Sequence, residues 1–228
     1  PTLINEFRAG VTRLNIEARH PNWGRNASDE VGIPGVNAGN DPYASGLTSI
    51  TLSGYATLGD SGFRPAIIVS ENYQFNDAVT WIRGSHTAKV GGEFGRRRYN
   101  LFQDNNIHGA LGFGPIYTTN PAAAAGTGIS LADMLLGAPQ NGVTSYTTGT
   151  RGYRRSEFAL FIQDTWKLTT NLTLNLGLRY EAFPAYPWKE VNNRMSYFRP
   201  DLGGVFAVGS GQIPEASGTK SDWNNVGP

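Results

Sequence analysis

Between residues 171 and 181 the chain alternates without a break. Leu172, Leu174, Leu176, Leu178 and Tyr180 share one parity; Thr173, Asn175, Gly177, Arg179 and Glu181 share the other. Successive side chains of a strand point to opposite faces, whereas a helix would scatter these leucines around its axis. The pattern predicts a strand over about 172–184 with one apolar and one charged face. A strand over about 153–168 precedes it. Phe158, Leu160, Ile162, Trp166 and Leu168 share a parity that Asp164 interrupts, and Glu157, Gln163 and Thr165 lie opposite. The short polar link between the two predicts an antiparallel hairpin.

A second hairpin lies upstream, with strands over about 66–82 and 87–102. Val69, Tyr73, Phe75, Val79 and Trp81 alternate with Ser70, Asn72, Gln74, Asn76 and Thr80, while Glu71 and Asp77 break the apolar row. Residues 83–86 form the turn. On the return strand Ala88, Val90, Gly92 and Phe94 oppose Lys89, Gly91, Glu93 and Arg97. A weaker alternation, with Phe7, Ala9 and Val11 against Glu6, Arg8 and Thr12, predicts a first strand over about 3–17.

The connections are unequal: two tight turns, and three long segments over about 20–65, 104–152 and 185–228. In up-down order, five strands place both turns at one end and all the long segments at the other. Long structureless loops count against a compact soluble domain, but short turns on one side and long loops on the other are normal in a transmembrane barrel. The strands are also longer than the 5–6 residues usual in soluble sheets. Aromatics such as Trp81, Trp166 and Tyr180 lie near strand ends, as in interfacial girdles. The fold class expected is therefore all-β: an antiparallel transmembrane β-barrel segment of about five long strands with long extracellular loops. Its lipid-facing row is Phe75, Val79, Trp81, Phe158, Leu160, Ile162, Leu172, Leu174, Leu176, Leu178 and Tyr180. Its lumen-facing candidates are Lys89, Glu93, Arg97, Arg179 and Glu181, with cross-strand ion pairing favoured over direct substrate contact.

Composition agrees with this picture. Only 16% of residues are charged, against 29 Gly and 13 Pro, where soluble proteins carry roughly 25% charge. Mean hydropathy is −0.34, and no run approaches the roughly 18 apolar residues of a membrane-spanning helix. The absence of Cys excludes disulfides and thiolate metal sites, and a net charge of +1 gives no electrostatic reason to expect nucleic acid. With no signal peptide and Pro1 as first residue, a processed or truncated chain is expected.

The two hairpins resemble those of a TonB-dependent outer-membrane receptor. FALFIQDTWKLTTNLTLNLGLRYE (158–181) is similar to that family's pairing of an aromatic strand and a Gln-Asp with a Leu-Gly-Leu-Arg-Tyr-Glu strand. WIRGSHTAKVGGEFGRRRYN (81–100) resembles the hairpin upstream of it, and SLADMLLG (130–137) resembles a loop segment of the large Oar-like branch. The likeness spans about residues 60–190. It implies a roughly 22-stranded barrel with a plugged lumen, importing a siderophore, glycan or peptide under the pull of the TonB complex. Its partners would be outer-membrane lipid and lipopolysaccharide, the remainder of the barrel and plug, and TonB itself through an N-terminal region. Plug, TonB box and terminal aromatic strand are not found in this chain, so it reads as an internal barrel fragment. The competing readings are a structural or adhesive surface protein that displays its loops, and a soluble β-rich binding module.

No nucleophile elbow, phosphate loop, dinucleotide fingerprint or paired-histidine motif is present, so neither enzyme activity nor a cofactor is expected. His20, His86 and His108 are far apart in sequence, and His86, in a tight turn, reads as a solvated structural residue rather than a ligand. Residues 104–106 (Asp-Asn-Asn) lack Ca²⁺-loop spacing and read as a polar loop. Arg96, Arg97 and Arg98 read as a solvated rim, with attraction of anionic lipopolysaccharide or substrate as the alternative. Tyr43, Tyr117, Tyr146 and Trp188 are weak ligand-binding candidates. Ser130 and Gly137 are expected to cap a short helix.

Overall fold

The computed structural model describes residues 2–37, 39, 41–123, 126–183, 189–211 and 222–228. Twelve strands are assigned among them. Five are long: β1 (Leu3–Ala18), β3 (Ala66–Arg83), β4 (His86–Phe102), β7 (Arg151–Lys167) and β8 (Thr173–Phe183). The short ones are β2 (Ser49–Leu52), β5 (Ala110–Phe113), β6 (Asn141–Val143), β9 (Lys189–Glu190), β10 (Ser196–Arg199), β11 (Gly204–Ala207) and β12 (Asp222–Gly227). Helix is confined to α1 (Ala27–Glu30), α2 (Ser130–Leu135) and a 3-10 turn at Pro42–Ala44. The chain divides into two compact units.

The first unit is the long-stranded sheet, ordered β1-β3-β4-β7-β8-β12, with β9 pairing β7 beside this path. β4 and β7 are antiparallel and in unbroken register from His86 opposite Trp166 to Leu101 opposite Arg151. β7 continues antiparallel to β8, from Lys167 opposite Thr173 to Phe158 opposite Ala182. Because no bulge interrupts these ladders, parity read on one strand carries to the next. Val90, Ile162 and Leu178 line up across three strands on one face; Lys89, Gln163 and Gly177 line up on the other. The β3–β4 turn has only Gly84 and Ser85 between strands. Gly84 takes φ +58°, the first-position requirement of a two-residue turn whose twist matches the flanking strands.

Segment 185–228, expected as a loop, is largely strand where it is described. β12 adds an edge to β8, with a register shift between Asp222 and Asn225, and β10 and β11 form a separate hairpin. The sequence DWNNVG lacks apolar alternation, so its strand character arises from pairing with the β8 edge. Pro184, the expected end of the 172–184 strand, lies outside the described residues, as does Trp188.

The second unit holds 16–67 and 102–149, segments also expected as loops. Its sheet joins β2, β5 and β6. β2 and β5 run parallel, the exception to the antiparallel expectation, while β6 returns antiparallel. Ile50, Leu52 and Phe113 form a small core, with Ile33, Leu111 and Met134 against it. α2 stops in a paired cap: Gly137 N–H donates to the Met134 carbonyl and Ala138 N–H to that of Asp133, with Gly137 at φ +66°. At its start the expectation is corrected. Ile129 is the N-cap, and the Ser130 hydroxyl donates instead to the Ser53 carbonyl, 2.7 Å away.

Candidate functional site

The polar face of the long-stranded sheet carries a charged ladder. Arg179 on β8 reaches across β7 to Glu93 on β4. Its two terminal nitrogens lie 3.0 and 3.4 Å from the Glu93 carboxylate, and its Nε donates to Glu181 at 2.6 Å. The geometry follows from register, since Glu93, Ala159 and Glu181 stand in one cross-strand row. The small Ala159 between two glutamates leaves room for the guanidinium to lie over β7. Three of the five expected polar-face residues, Glu93, Arg179 and Glu181, thus meet in one network.

Arg97 belongs to a second network. It stands directly opposite Arg155, a like-charge pairing that would destabilise the sheet if left bare. Glu157 resolves it, accepting from Arg97 at 2.7 Å and lying 3.2 Å from Arg155. Arg155 is a participant that the sequence reading omitted, although the parity of Glu157 pointed to it. Lys89 lies opposite Gln163 and lines an open depression with Glu93, Phe161 and Arg179. The groove beside the first network is lined by Gln74, Asn76, Glu93, Glu157, Arg179 and Glu181, with a volume of about 280 Å³. That is room for several waters but at the bottom of the range for small-molecule sites. Most charges on this face are paired with one another across the strands.

Phe161 breaks the polar row, and the backbone explains it. Phe161 stands opposite Gly91, and a Cβ at Gly91 would meet its ring at 2.5 Å and the Asp77 carbonyl at 2.8 Å. The ring lies on bare glycine backbone, so Phe161 packs within its own face.

On the other face, Phe75, Trp81, Leu160, Ile162, Leu172, Leu176 and Leu178 are exposed, while Val79, Phe158, Leu174 and Tyr180 are partly covered by neighbours. Leu172 lies one residue ahead of β8. Asp164, the acid in this row, sits 2.6 Å from His86 Nδ1, and the His86 ring stacks on Trp166 with centroids 5.2 Å apart. His86 keeps 44% of its side chain exposed and opens β4 in a structural role, as the partner of a carboxylate that would otherwise stand alone among apolar side chains. Asp77 is held likewise by Asn5, at 2.9 Å. The nine residues from Phe158 to Trp166 match the 9–11 that a tilted strand needs to cross a bilayer.

In the second unit His20 and His108, distant in sequence, come together with ring centroids 5.2 Å apart. Asp60 Oδ2 lies 3.1 Å from His20 Nδ1 and also accepts from the Leu47 N–H at 2.8 Å. Burial pushes the pKa of both histidines down, outweighing the pull of Asp60. Both are therefore neutral packing groups at pH 7, and among the described residues no cluster could hold a metal ion. Asp104 accepts from Thr147 and Thr148, as a loop fastener would. Tyr43 is packed, its ring 4.2 Å from Phe102 and edge-on to Trp23, whereas Tyr117 and Tyr146 are exposed.

No curated protein and no solved structure matches the chain. The profile of the outer membrane beta barrel domain matches residues 1–228, all of it. That match sets aside the soluble β-rich module and makes this an integral protein of the bacterial outer membrane. The long antiparallel strands, with one apolar and one charged face, are what such a wall requires, and the chain belongs to the outer membrane beta barrel domain family.

Proposed function

We propose that this chain is wall of a TonB-dependent outer-membrane transporter that imports a scarce nutrient of the siderophore, glycan or peptide class. The apolar row from Phe158 to Trp166 faces lipid, and the row bearing Lys89, Glu93, Arg97, Arg179 and Glu181 faces the lumen. The two tight turns lie at the periplasmic end. The remainder of the barrel, a plug and the TonB complex complete the machine.

The observation that carries this reading is the Glu93–Arg179–Glu181 network. A lumen wall that neutralises its own charges through crossed ion pairs is wet yet presents no fixed ligand, which suits a wide plugged channel better than a narrow specific pore. The hairpin motifs at 81–100 and 158–181 support the same family. The test is growth on a limiting nutrient. Deleting the gene should abolish growth on one such nutrient, and deleting tonB should abolish it equally. Normal growth on every nutrient tried, together with loss of surface attachment, would replace uptake with loop display.

A further inference from the structure

The face that carries the apolar row changes character beyond Phe94 and Phe158, at the strand ends away from the two-residue turn. The next row holds Arg96 opposite Ser156, and the row after it Arg98 directly opposite Arg154. Neighbouring strands lie about 4.8 Å apart and alternate residues about 6.6 Å apart along a strand, so the three guanidinium groups share one small patch. Arg13 of β1 joins them from the side, 3.7 Å from Glu71, which is also 3.7 Å from Arg98. Four guanidinium groups (Arg13, Arg96, Arg98, Arg154) stand against two carboxylates, Glu71 and the Glu190 that also acts on Arg154, so cations exceed anions by two.

The protein's own handling of the opposite face shows what is unusual here. Arg97 and Arg155 are just as directly opposed, but Glu157 binds both. On the apolar face, among the described residues, Arg96 donates to the neutral Ser156 hydroxyl, at 2.6 Å, and Arg154 to the neutral Asn100 side chain, at 2.9 Å, and to the Tyr153 carbonyl, at 2.8 Å. Glu71 is too far for a hydrogen bond to either of its arginines. Glu190, on β9, is buried, and its oxygens accept from the backbone N–H groups of Gly152, Asn192 and Arg194. Beside the arginines, Phe158 lies 6.5 Å from Tyr180 and 6.2 Å from Trp223 by ring centroids, an aromatic shelf at the edge of the apolar band.

We propose that Arg96, Arg98 and Arg154 form a binding site for the phosphate groups of a phosphorylated glycolipid, the lipid A portion of lipopolysaccharide in the outer leaflet. The fit is one of charge and depth. The arginines stand one to two rows past the apolar band, at headgroup level; guanidinium groups take phosphate oxygens two at a time; and the acyl chains continue down the row Phe158, Leu160, Ile162. This site rests on the membrane orientation of the two faces and is independent of nutrient import, so a failed uptake experiment leaves it standing.

The test uses the full protein extracted from outer membranes in detergent, with retention of lipid read by native mass spectrometry. The probes are bisphosphorylated lipid A and the same lipid with both phosphates removed. The wild-type protein should retain the bisphosphorylated form at least about tenfold better, the loss expected when even one hydrogen bond to a charged group is removed. The R96Q/R98Q/R154Q variant should lose that preference, and R97Q, on the other face, should keep it. Equal retention of the two lipids by the wild-type protein would overturn the proposal, as would an equal loss in R97Q. Should the triple variant fail to fold, the wild-type comparison and the single variant R98Q decide the question by the same readout.

Discussion

Replacing Ile162 with arginine should separate a lipid-facing sheet from a water-facing one by the sign and size of its effect. Ile162 sits four residues from Trp166 and four from Phe158 on β7, at mid-height of the apolar band, between Val90 on β4 and Leu178 on β8. It keeps 53% of its surface uncovered by protein. If that surface met water, Ile162→Arg would be an ordinary surface change, within about 0.5 kcal/mol of neutral. If it meets hydrocarbon, the variant forfeits about 1 kcal/mol of apolar transfer, half the worth of a fully buried isoleucine. It must also place a cation near the bilayer midplane, for a total of about 2–4 kcal/mol. The same change at Phe94, near the rim, should cost only about 0–1 kcal/mol because penalties fall with distance from the midplane. Gln163→Arg, one residue along on the polar face, should be near neutral. The assay is denaturant unfolding of the full barrel in phospholipid vesicles, with folding read by heat-modifiable mobility. A near-neutral Ile162→Arg, or a Gln163→Arg as costly as Ile162→Arg, would refute the assignment of faces.

Three further outcomes follow from the geometry. Gly91→Ala should destabilise the sheet by about 1–3 kcal/mol, as overpacking does, because its Cβ would collide with Phe161 and the Asp77 carbonyl; vesicle unfolding measures it. Glu93→Gln should cost no more than about 1 kcal/mol, since its bond to Arg179 is solvent-exposed, and a larger loss in the same assay would mean that the network is structural. His20 and His108 have pKa values held below 6.5 by burial, so the unfolded state binds more protons below that pH. Their contribution to the stability of the second unit is full above pH 6.5 and is lost as pH falls through their lowered folded values. Hydrogen exchange in that unit should therefore speed up from pH 7.5 to pH 5 beyond its intrinsic trend, and His20→Gln combined with His108→Gln should flatten the change.

What could be read in the sequence was whatever repeats every two residues. The leucines at 172, 174, 176 and 178, the aromatic and aliphatic row from Phe158 to Trp166, and the Gly84 turn are local signals that fix strand, face and hairpin. The breaks in those rows were legible as breaks but not as contacts. Asp164 is explained by His86 and Phe161 by Gly91, partners 78 and 70 residues away in sequence, and only the register brings them together. The same distance hid the His20–Asp60–His108 cluster, assembled from two segments with no periodicity. β12 was illegible for a different reason: its residues do not alternate, and the edge of β8 imposes its extended conformation. Of the charged candidates, parity placed all five on one face, but which of them would meet depended on the small side chain of Ala159.

Residues 1–228 contain no cysteine, so single cysteines placed one at a time from 158 to 166, in a full-length protein freed of any other cysteine, each report their own surroundings. Spin labels at these positions, with the protein in native outer membranes, should alternate in access to lipid-soluble oxygen and to a water-soluble nickel complex. Positions 158, 160 and 162 should favour oxygen, and 159, 161 and 163 should favour nickel. Access without a two-residue period, or with the two sets exchanged, would contradict the claim that this sheet stands in the membrane with its apolar face to lipid and its charged face to water.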